Sequence, residues 1–261
     1  MRRPFDHENG IPRDSSSIRS GSQSARIWTE RWASEWLYCP NCGNSRLTQF
    51  PANLPVADFY CDKCDDQYEL KSAKKPFGRK LANGAYSRKI ERLNSSTNPN
   101  FFLLKYDFNQ RLVESVCVIP KHFFTPAIVE RRTPLSQAAR RAGWIGSNIL
   151  LSRVPEAGRI HLVRNGVITS KEEVLAAWKR TVFLRDAPHD TRGWLVEVMR
   201  CIESIGTDEF DIDQAYAFEP QLALLYPNNQ NIRPKIRQQL QFLRDKGYLR
   251  FLSRGRYQVA R

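Results

Sequence analysis

The chain has 261 residues, of which 41 are Lys or Arg and 27 are Asp or Glu, so its formal net charge is +14. With 41% hydrophobic residues, a chain of this length can bury one full core and a second, smaller one, which predicts two domains. A positive charge of this size concentrates polyanions near the protein. Nucleic acid is therefore the leading partner class, with a basic surface that has no partner as the alternative.

Membrane and secretory proteins are disfavoured by the apolar pattern. The sequence contains no run of about 18 apolar residues of the kind that crosses a membrane, and its N-terminus lacks the apolar core of a signal peptide. We therefore expect a cytoplasmic protein without a membrane partner, in which thiols stay reduced. Its six cysteines are then better explained as metal ligands and buried thiols than as disulfides.

The N-terminal segment changes character near residue 24. Residues 1–24 are rich in Ser, Gly, Arg and Asn and poor in large apolar groups, which predicts a disordered tail. The next stretch, SARIWTERWASEWLY, predicts a helix with Ser24 as its N-cap. Its apolar side chains recur on one helical face: Ile27, Trp32, Trp36 and Leu37.

Two Cys-x-x-Cys pairs follow, Cys39 with Cys42 and Cys61 with Cys64, separated by eighteen residues. This spacing is typical of a tetrahedral zinc site with four thiolates, and a redox dithiol is the alternative. Four thiolates leave no open position on zinc, so we expect the metal to stabilise structure and the chemistry to lie beside it.

The middle of the chain predicts an α/β domain over residues 25–187. The segments FFLLKYDF and RLVESVCVIP read as strands, and GRIHLVRNGVIT reads as a hairpin with Asn165 and Gly166 in its turn. The segment SKEEVLAAWKRTVFL reads as a helix in which Ser170 and Glu173 form a capping box. RDAPHDTRG, residues 185–193, is interpreted as the linker that ends this domain.

The last part of the chain, residues 190–261, predicts a winged helix-turn-helix domain. GWLVEVMRCIESI and the proline-interrupted DIDQAYAFEPQLALLYP read as helices, and NIRPKIRQQLQFLRDKG reads as a third helix that begins after Asn231 and ends at Gly247. Two short strands flank Arg254 and Gly255. Three helices followed by a hairpin are the order of elements in that domain type.

Three side chains lie just outside the cysteine turns: Asp58 before Cys61, and Glu69 with Lys71 after Cys64. If the second turn is the tip of a hairpin, these side chains converge, since residues i and i+2 of a strand share a face. Two carboxylates that hold magnesium, with a lysine that orients water, are what phosphodiester hydrolysis requires. A solvated charged face is the alternative, and the acids within or beside the turn are expected to be solvated bystanders: Asp62, Asp65 and Asp66.

A run of basic residues begins at this candidate site. A DNA backbone would have to lie there, which favours a nucleic-acid contact, while a flexible solvated loop is the alternative. The run consists of Lys71, Lys74, Lys75, Arg79 and Lys80.

In combination these segments resemble the DpnI family of methyl-directed restriction endonucleases. The motifs SARIWTERW, YCPNCGN, PVADFYC…C…YELKS, NPNFFLL, ARRAGWIGSNI, IRQQLQFLRDKGYLRF and LSRGRYQVA carry the resemblance, over about residues 22–261. It implies a PD-(D/E)XK nuclease with a mixed α/β sheet and a zinc knuckle, followed by a winged helix. It also implies magnesium-dependent, site-specific cleavage of double-stranded DNA at GATC sites that carry 6-methyladenine, and we expect the protein to be monomeric.

The resemblance also implies roles for individual residues. Asp58, Glu69 and Lys71 would be catalytic, and magnesium would be held by Asp58, Glu69 and the carbonyl of Leu70. The chain departs from the family motif because Val and Ala, not Pro, directly precede the Asp. Glu30 on the first helix is a weaker candidate for holding or orienting the metal, and a surface charge is an equally good interpretation of it.

Methyl reading requires an apolar surface in the major groove. Trp144 resembles the family tryptophan that meets the methyl groups, and Arg140 and Arg141 lie beside it; a core tryptophan is the alternative. In the winged helix, side chains off the apolar stripe of the third helix and in the wing are expected to contact DNA: Arg237, Gln238, Gln241, Arg254 and Arg256.

Two other functions are compatible with parts of this pattern. A zinc-containing winged-helix regulator would bind DNA without cutting it, but has no need for the Asp58 to Lys71 constellation. An RNA-processing nuclease would keep the carboxylates, but has no use for a major-groove reader.

Overall fold

The structure is a computed structural model that describes residues 21–51, 57–93, 95 and 97–260. Its backbone forms two compact units that are each discontinuous along the chain. The first unit comprises the chain up to Gly78 together with Ser96–Lys121 and Arg159–Trp178, and the second comprises Arg79–Ser95, His122–Gly158 and Lys179–Arg261. None of the helices in the described residues is long and apolar enough to cross a membrane.

The first unit contains a seven-stranded mixed sheet and two helices. The helices are α1 (Gly21–Trp36) and α3 (Lys171–Lys179). The strands are β1 (Thr48–Gln49), β2 (Phe59–Tyr60), β3 (Gln67–Ala73), β5 (Asn100–Asp107), β6 (Leu112–Ile119), β9 (Ile160–Arg164) and β10 (Val167–Ile168). Their order is β1-β2-β3-β5-β6-β9-β10, in which β3 and β5 run parallel and the other neighbours run antiparallel.

The second unit contains two three-stranded sheets and the remaining helices. One sheet consists of β4 (Lys80–Ala85), β7 (Val129–Arg131) and β8 (Gly146–Leu150), in the order β4-β8-β7. The other consists of β11 (Glu209–Asp211), β12 (Leu249–Ser253) and β13 (Arg256–Val259), in the order β11-β13-β12. The helices are α2 (Tyr86–Leu93), α4 (Phe183–Asp186), α5 (His189–Ser204), α6 (Ile212–Tyr216), α7 (Glu219–Leu225) and α8 (Ile232–Asp245). Short 3₁₀ turns span Lys121–Phe123, Pro126–Ile128, Leu151–Arg153 and Glu156–Gly158.

The central strands confirm the sequence interpretation. β5 and β6 pair antiparallel, and Phe101, Phe102 and Leu104 of β5 are fully buried. In the β9–β10 hairpin, Asn165 (φ 51°) and Gly166 (φ 76°) both adopt the left-handed conformation that a two-residue type I′ turn requires. The capping box of α3 is present, with the Ser170 N–H donating to Glu173 and the Glu173 N–H donating to the Ser170 hydroxyl, each at 3.2 Å.

The prediction for the first helix was wrong in its start and for two residues of its buried face, Ile27 and Trp36, whereas Leu37 is buried as predicted. α1 begins at Gly21, so Ser24 lies inside the helix, and residues 21–24 of the predicted tail are helical; residues 1–20 lie outside the described part of the chain. The buried residues are Ala25, Thr29, Ala33 and Leu37. Ile27 and Trp36 are 45% and 38% exposed, because the small residues at a spacing of four let the helix approach the sheet closely and displace the large ones to its rim.

The segment interpreted as a linker, residues 185–193, is helical over most of its length. α4 ends at Asp186 and α5 begins at His189, so the segment is helical on both sides of Ala187 and Pro188. A proline can stand just before the first turn of a helix without the loss of a hydrogen bond. Pro188 is therefore compatible with the start of α5 at His189, and it does not require a flexible connection there. The proposed division into domains at 25–187 and 190–261 therefore remains a prediction about independent folding.

The C-terminal elements follow the order of a winged helix-turn-helix. In α8 the stripe of Ile236, Leu240 and Leu243 is buried as predicted, and Gly247 (φ 73°) ends the helix in the left-handed conformation. Asn231 occupies the N-cap position, but its side chain makes no capping hydrogen bond. Trp194 of α5 stacks on Tyr226, with ring centroids 3.9 Å apart.

Candidate active site

The two cysteine turns have the same backbone geometry. In each turn the residue after the second cysteine donates its N–H to the carbonyl of the first cysteine: Gly43 to Cys39 and Asp65 to Cys61, both at 2.9 Å. Gly43 and Asp65 both have positive φ, 76° and 57°. The sequence spacing thus produces two equivalent loops that direct their sulfurs toward each other.

The four sulfurs fit a metal ion. The Sγ atoms of Cys39 and Cys64, and those of Cys42 and Cys61, lie 3.5 Å apart, and all four lie within 4.8 Å of one another. Four thiolates at Zn–S distances near 2.3 Å place their sulfurs about 3.8 Å apart in a tetrahedron. The predicted cluster can therefore hold a structural zinc, which has no open coordination position in such a site.

Asp66 is not the solvated bystander that the sequence predicted. Its carboxylate is 1% exposed, accepts a 2.8 Å hydrogen bond from the Asn41 amide, and lies 3.1 Å from the Lys121 ammonium. Asn41 lies between the two cysteines of the first turn, so Asp66 connects that turn to the second one and to Lys121, two residues after strand β6. A buried carboxylate with these partners fixes the knuckle against the sheet.

The knuckle is the tip of the β2–β3 strand pair, as predicted. Phe59 pairs with Tyr68 and Tyr60 pairs with Gln67 across the antiparallel pair. Just beyond the last pair, the Asp58 N–H donates to the Tyr68 carbonyl at 3.0 Å, and the Leu70 N–H donates to Oδ2 of Asp58 at 2.7 Å. The Asp58 carboxylate therefore lies at the free edge of β3, where strand β2 has ended.

Glu69 and Lys71 share a face of β3, and their side chains meet. The Lys71 ammonium lies 2.6 Å from Oε1 of Glu69, and both side chains are about three-quarters buried, at 28% and 22% exposure. Leu70, between them in sequence, is half-buried and packs against the core on the opposite face of the strand. Asp58, Glu69, Leu70 and Lys71 are thus brought together as the spacing predicted.

The electrostatics of Asp58 reflect this crowding. Burial raises the pKa of the Asp58 carboxyl above its ordinary value, and the neighbouring carboxylates of Glu69 and Glu30 raise it further. The Leu70 N–H and the Lys71 ammonium lower that pKa. A carboxylate held beside two others in a partly dry site is an arrangement that a divalent cation relieves.

Glu30 reaches this cluster from α1. Its Oε1 accepts a 2.5 Å hydrogen bond from Arg26, and the Gln49 amide of β1 lies 3.5 Å from its Oε2. Its side chain is only 19% exposed and is paired with Arg26, so Glu30 is more than a solvated surface charge. Sequence reasoning missed Arg26, whose pKa is raised mainly by Glu30 and, to a smaller extent, by the charge of Asp58; its position one turn before Glu30 was the available signal.

The basic run that begins at Lys71 does not form a single element. Lys71 belongs to β3, the Lys74 ammonium lies over the Phe108 ring at 4.8 Å, and Lys80 at the start of β4 forms a 2.6 Å ion pair with Glu130. Lys75 and Arg79 are exposed. Only part of the predicted run is therefore available to an external anion.

Trp144 lies in the loop that joins β7 to β8, residues 132–145, which we call the arginine–tryptophan loop. The loop carries three arginines and no acidic residue. Its backbone is closed by hydrogen bonds from the Arg132 N–H to the Gly146 carbonyl and from the Leu135 N–H to the Trp144 carbonyl, both at 3.0 Å. Trp144 is half-buried and Arg140 is exposed, so the loop presents an indole framed by cations.

The predicted DNA-contacting side chains of the winged helix all lie on its surface. Arg237, Gln238 and Gln241 are exposed on α8, away from the buried stripe. Arg254 lies in the turn between β12 and β13, and Arg256 is 3.5 Å from Glu209 of β11, with both side chains largely exposed. These side chains are therefore exposed to solvent, although Arg256 is paired with Glu209 and Gln238 accepts a hydrogen bond from Lys235.

Two family models match the sequence in tandem. Residues 14–187 match the model of the Dam-replacing family, DpnI, which covers more than half of the chain. Residues 190–259 match the model of the Dam-replacing HTH domain. The second match agrees with the helix and strand order of the C-terminal segment.

Proposed function

Because the chain belongs to the Dam-replacing (DpnI) family of methyl-directed restriction endonucleases, we propose that it hydrolyses double-stranded DNA at GATC sites whose adenines carry the 6-methyl group. We propose that the reaction depends on magnesium and that Asp58, Glu69 and Lys71 carry it out. A structural zinc in the four-cysteine cluster would stabilise the strand pair that holds these residues.

The observation that carries the proposal is the arrangement around Leu70. Its N–H binds Asp58 at 2.7 Å while the side chains before and after it, Glu69 and Lys71, lie 2.6 Å apart. In an extended strand the N–H and C=O of one residue point to the same side. The Leu70 carbonyl is therefore directed to the same free strand edge as the Asp58 carboxylate.

This donor set fits magnesium. Oxygen ligands from one or two carboxylates and a carbonyl suit a hard cation, which in nucleases keeps several waters. When bound, the metal would lower the pKa of a bound water and stabilise the charge that develops on the phosphate. Asp58, Glu69 and the Leu70 carbonyl would hold it.

The other residues act through position and charge. Lys71 would donate hydrogen bonds to the attacking water or to the phosphate oxygen that gains charge. Glu30, held by Arg26 at 2.5 Å, would accept a hydrogen bond from water in the site and so help to orient it. Neither role requires the side chain to touch the metal.

Methyl selection would be shared between two surfaces. One methyl contact contributes about 0.8 kcal/mol, roughly a fourfold preference, so a single contact is a weak selector. A palindromic site offers two methyl groups, and the winged helix offers a second surface with Arg237, Gln238 and Gln241 exposed. We propose that Trp144 with Arg140 and Arg141 meets the methyl groups and that the winged helix, with Arg254 and Arg256 on the DNA backbone, makes a second check.

The test is digestion of one plasmid prepared from adenine-methylating and from non-methylating cells, with and without magnesium. We expect cutting only of the methylated plasmid and only with magnesium. If neither plasmid is cut, the nuclease assignment is wrong, whereas equal cutting of both would refute methyl dependence alone. Cutting in the presence of a magnesium chelator would refute the metal requirement.

A further inference from the structure

The indole of Trp144 occupies space that almost any other residue at position 146 would fill. A Cβ atom built on Gly146 would lie 2.7 Å from Cζ3 and 2.8 Å from Cη2 of the Trp144 ring, and 3.3 Å from Cδ of Arg132. Carbon atoms in good contact lie about 3.5–4.0 Å apart. The six-membered part of the indole therefore rests directly on the backbone of Gly146.

Glycine is required here for space and not for backbone conformation. Gly146 begins β8, pairs with Ala85 of β4, and is not among the glycines with positive φ. Gly143, three residues earlier in the chain, shows the opposite case, with φ 74° and nothing within 4 Å of an added Cβ. Gly143 thus allows the backbone to turn, whereas Gly146 leaves space for the Trp144 ring.

The remaining contacts hold the tryptophan over this position. The guanidinium of Arg141 lies over the indole, 4.9 Å from the ring centroid, which is a cation–π contact. The backbone N–H of Trp144 donates to the Arg141 carbonyl at 3.1 Å, and the backbone carbonyl of Trp144 accepts a hydrogen bond from the Leu135 N–H at 3.0 Å. With the backbone fixed on both sides, the ring can adjust only by rotation about its own side-chain bonds.

We propose that Gly146 is a positioning residue for methyl selection: the space left by its missing side chain sets where the Trp144 indole stands. This inference rests on the proposed role of Trp144 in meeting the methyl groups. A methyl contact depends on close approach, so an indole displaced by about 1 Å loses most of that contact. Gly146 itself touches no DNA in this scheme.

The expected effect of Gly146→Ala is slower cleavage of the methylated duplex, and thus a loss of selectivity, without a change in the cleavage of the unmethylated duplex. The added methyl group must move the ring, because the ring is the end of a side chain whereas Gly146 is fixed in the sheet. We expect the ratio of cleavage rates on methylated and unmethylated duplexes to fall by about fourfold for each methyl contact that is lost, and thus by about fifteenfold if both are lost. The rate on the unmethylated duplex should stay unchanged.

Gly84→Ala is the matched control. Gly84 lies in β4 of the same three-stranded sheet, and a Cβ atom built there has nothing within 4 Å. It introduces the same methyl group into the same sheet without meeting the indole. The two variants are compared in the full chain by cleavage rate on both duplexes and by melting temperature.

A second-site variant separates ring displacement from general damage to the sheet. Phenylalanine lacks the part of the indole that carries Cζ3 and Cη2, so Trp144→Phe should restore selectivity in the Gly146→Ala protein, and should raise its melting temperature if that has fallen. Trp144→Ala combined with Gly146→Ala should be no less selective than Trp144→Ala alone. These outcomes would support the inference.

Several outcomes would overturn it. Gly146→Ala with wild-type selectivity, alongside a Trp144→Ala variant that has lost it, would refute the role of Gly146 and leave that of Trp144 intact. Equal loss of both cleavage rates, without restoration by Trp144→Phe, would make Gly146 merely structural. A wild-type protein that cuts both duplexes equally would refute the proposed methyl dependence and this inference with it.

Discussion

The backbone N–H of Leu70 donates a 2.7 Å hydrogen bond to Oδ2 of Asp58, where strand β2 has ended and strand β3 continues. The Asp58 carboxylate thus accepts the hydrogen bond that a backbone carbonyl would accept if β2 continued along β3. It does so in a partly buried site beside other carboxylates, and burial is the largest of the causes that raise the pKa of Asp58. The Asp58 carboxylate, a candidate metal ligand, is therefore held in place at a cost in folding stability.

We predict that Asp58→Asn abolishes cleavage and raises the melting temperature at neutral pH. The asparagine keeps an oxygen for the Leu70 N–H but removes a charge that burial disfavours. Because the pKa of Asp58 is higher in the folded than in the unfolded state, the ionised group lowers stability above the folded-state pKa. As the pH falls through that pKa, the loss shrinks, and it disappears below the unfolded-state pKa.

The measurement is the melting temperature of both proteins across a pH series, with cleavage as the second readout. The gain from Asp58→Asn should be largest at neutral pH and vanish in acid. The control is Glu114→Gln. Glu114 is an acidic residue of β6 that pairs with Lys105, and its substitution should change neither the pH dependence of the melting temperature nor cleavage. A melting temperature for Asp58→Asn well below that of the wild type at neutral pH would contradict the electrostatic argument.

Lys71→Met is predicted to lower the cleavage rate by about 10²- to 10³-fold, the usual loss when one preorganised donor is removed from a reacting centre. DNA binding, measured by gel shift in calcium, should persist because one lysine contributes only one of many phosphate contacts. Lys105→Met is the control, since Lys105 lies on the neighbouring strand β5 and also pairs with a glutamate. Loss of binding by Lys71→Met alone would mean that Lys71 anchors DNA and is not part of the reaction.

Cys61→Ser is predicted to lower both zinc content and melting temperature, because three thiolates and an alcohol hold zinc less well than four thiolates. Zinc content is measured on the purified protein, together with thermal unfolding. Cys117→Ser, in strand β6, provides the control and should leave zinc unchanged. Full zinc occupancy in Cys61→Ser would show that the cluster does not bind the metal through this sulfur.

The parts of the site that could be predicted from the sequence are those fixed by short-range spacing. The Cys-x-x-Cys turns impose a hairpin, and the hairpin in turn places Asp58 opposite Glu69 and Lys71. The buried face of α1 could not be predicted from apolar spacing, because close packing against β3 selected Ala25, Thr29 and Ala33, with the Thr29 hydroxyl 3.1 Å from that of Ser72.

The three-stranded sheet of β4, β7 and β8 was missed for a different reason. Strand β4, KLANGA, is polar and alternates only between exposed and half-buried positions, so it offers no apolar signal. β4 pairs with the distant strand β8, Lys80 with Leu150 and Ala85 with Gly146, and pairing between segments so far apart in the chain depends on tertiary context. The arginine–tryptophan loop was recognised as a motif, but its place on this sheet, over Gly146, was not predictable from spacing.

Asp66→Asn tests the role of Asp66, which the sequence pattern predicted to be solvated but which is buried. We predict a loss of about 1–3 kcal/mol of stability, because the change removes the negative charge next to a Lys121 ammonium whose side chain is only 18% exposed. Asp62→Asn is the control: Asp62 is exposed and accepts a hydrogen bond from the Asn44 amide, so a change within about 0.5 kcal/mol is expected. Equal effects of the two substitutions, measured by denaturant unfolding, would contradict the proposed tie between the turns.

Arg237→Ala tests whether α8 faces DNA. Arg237 is exposed on α8 and has no carboxylate partner within 4.0 Å among the described residues, whereas Arg244 on the same helix is paired with Asp245 at 2.7 Å. We therefore predict that Arg237→Ala weakens binding and that Arg244→Ala has a smaller effect, with affinities measured on methylated duplex across a salt series.

The salt series also identifies the kind of contact. If Arg237 meets a phosphate, its loss should weaken binding to all sequences alike and lower the slope of log K against log salt by about one. If it meets a guanine edge, its loss should cost about 1–3 kcal/mol on GATC sites and much less on unrelated duplexes. Unchanged affinity and slope for Arg237→Ala would place the DNA-binding face of this domain elsewhere than on α8.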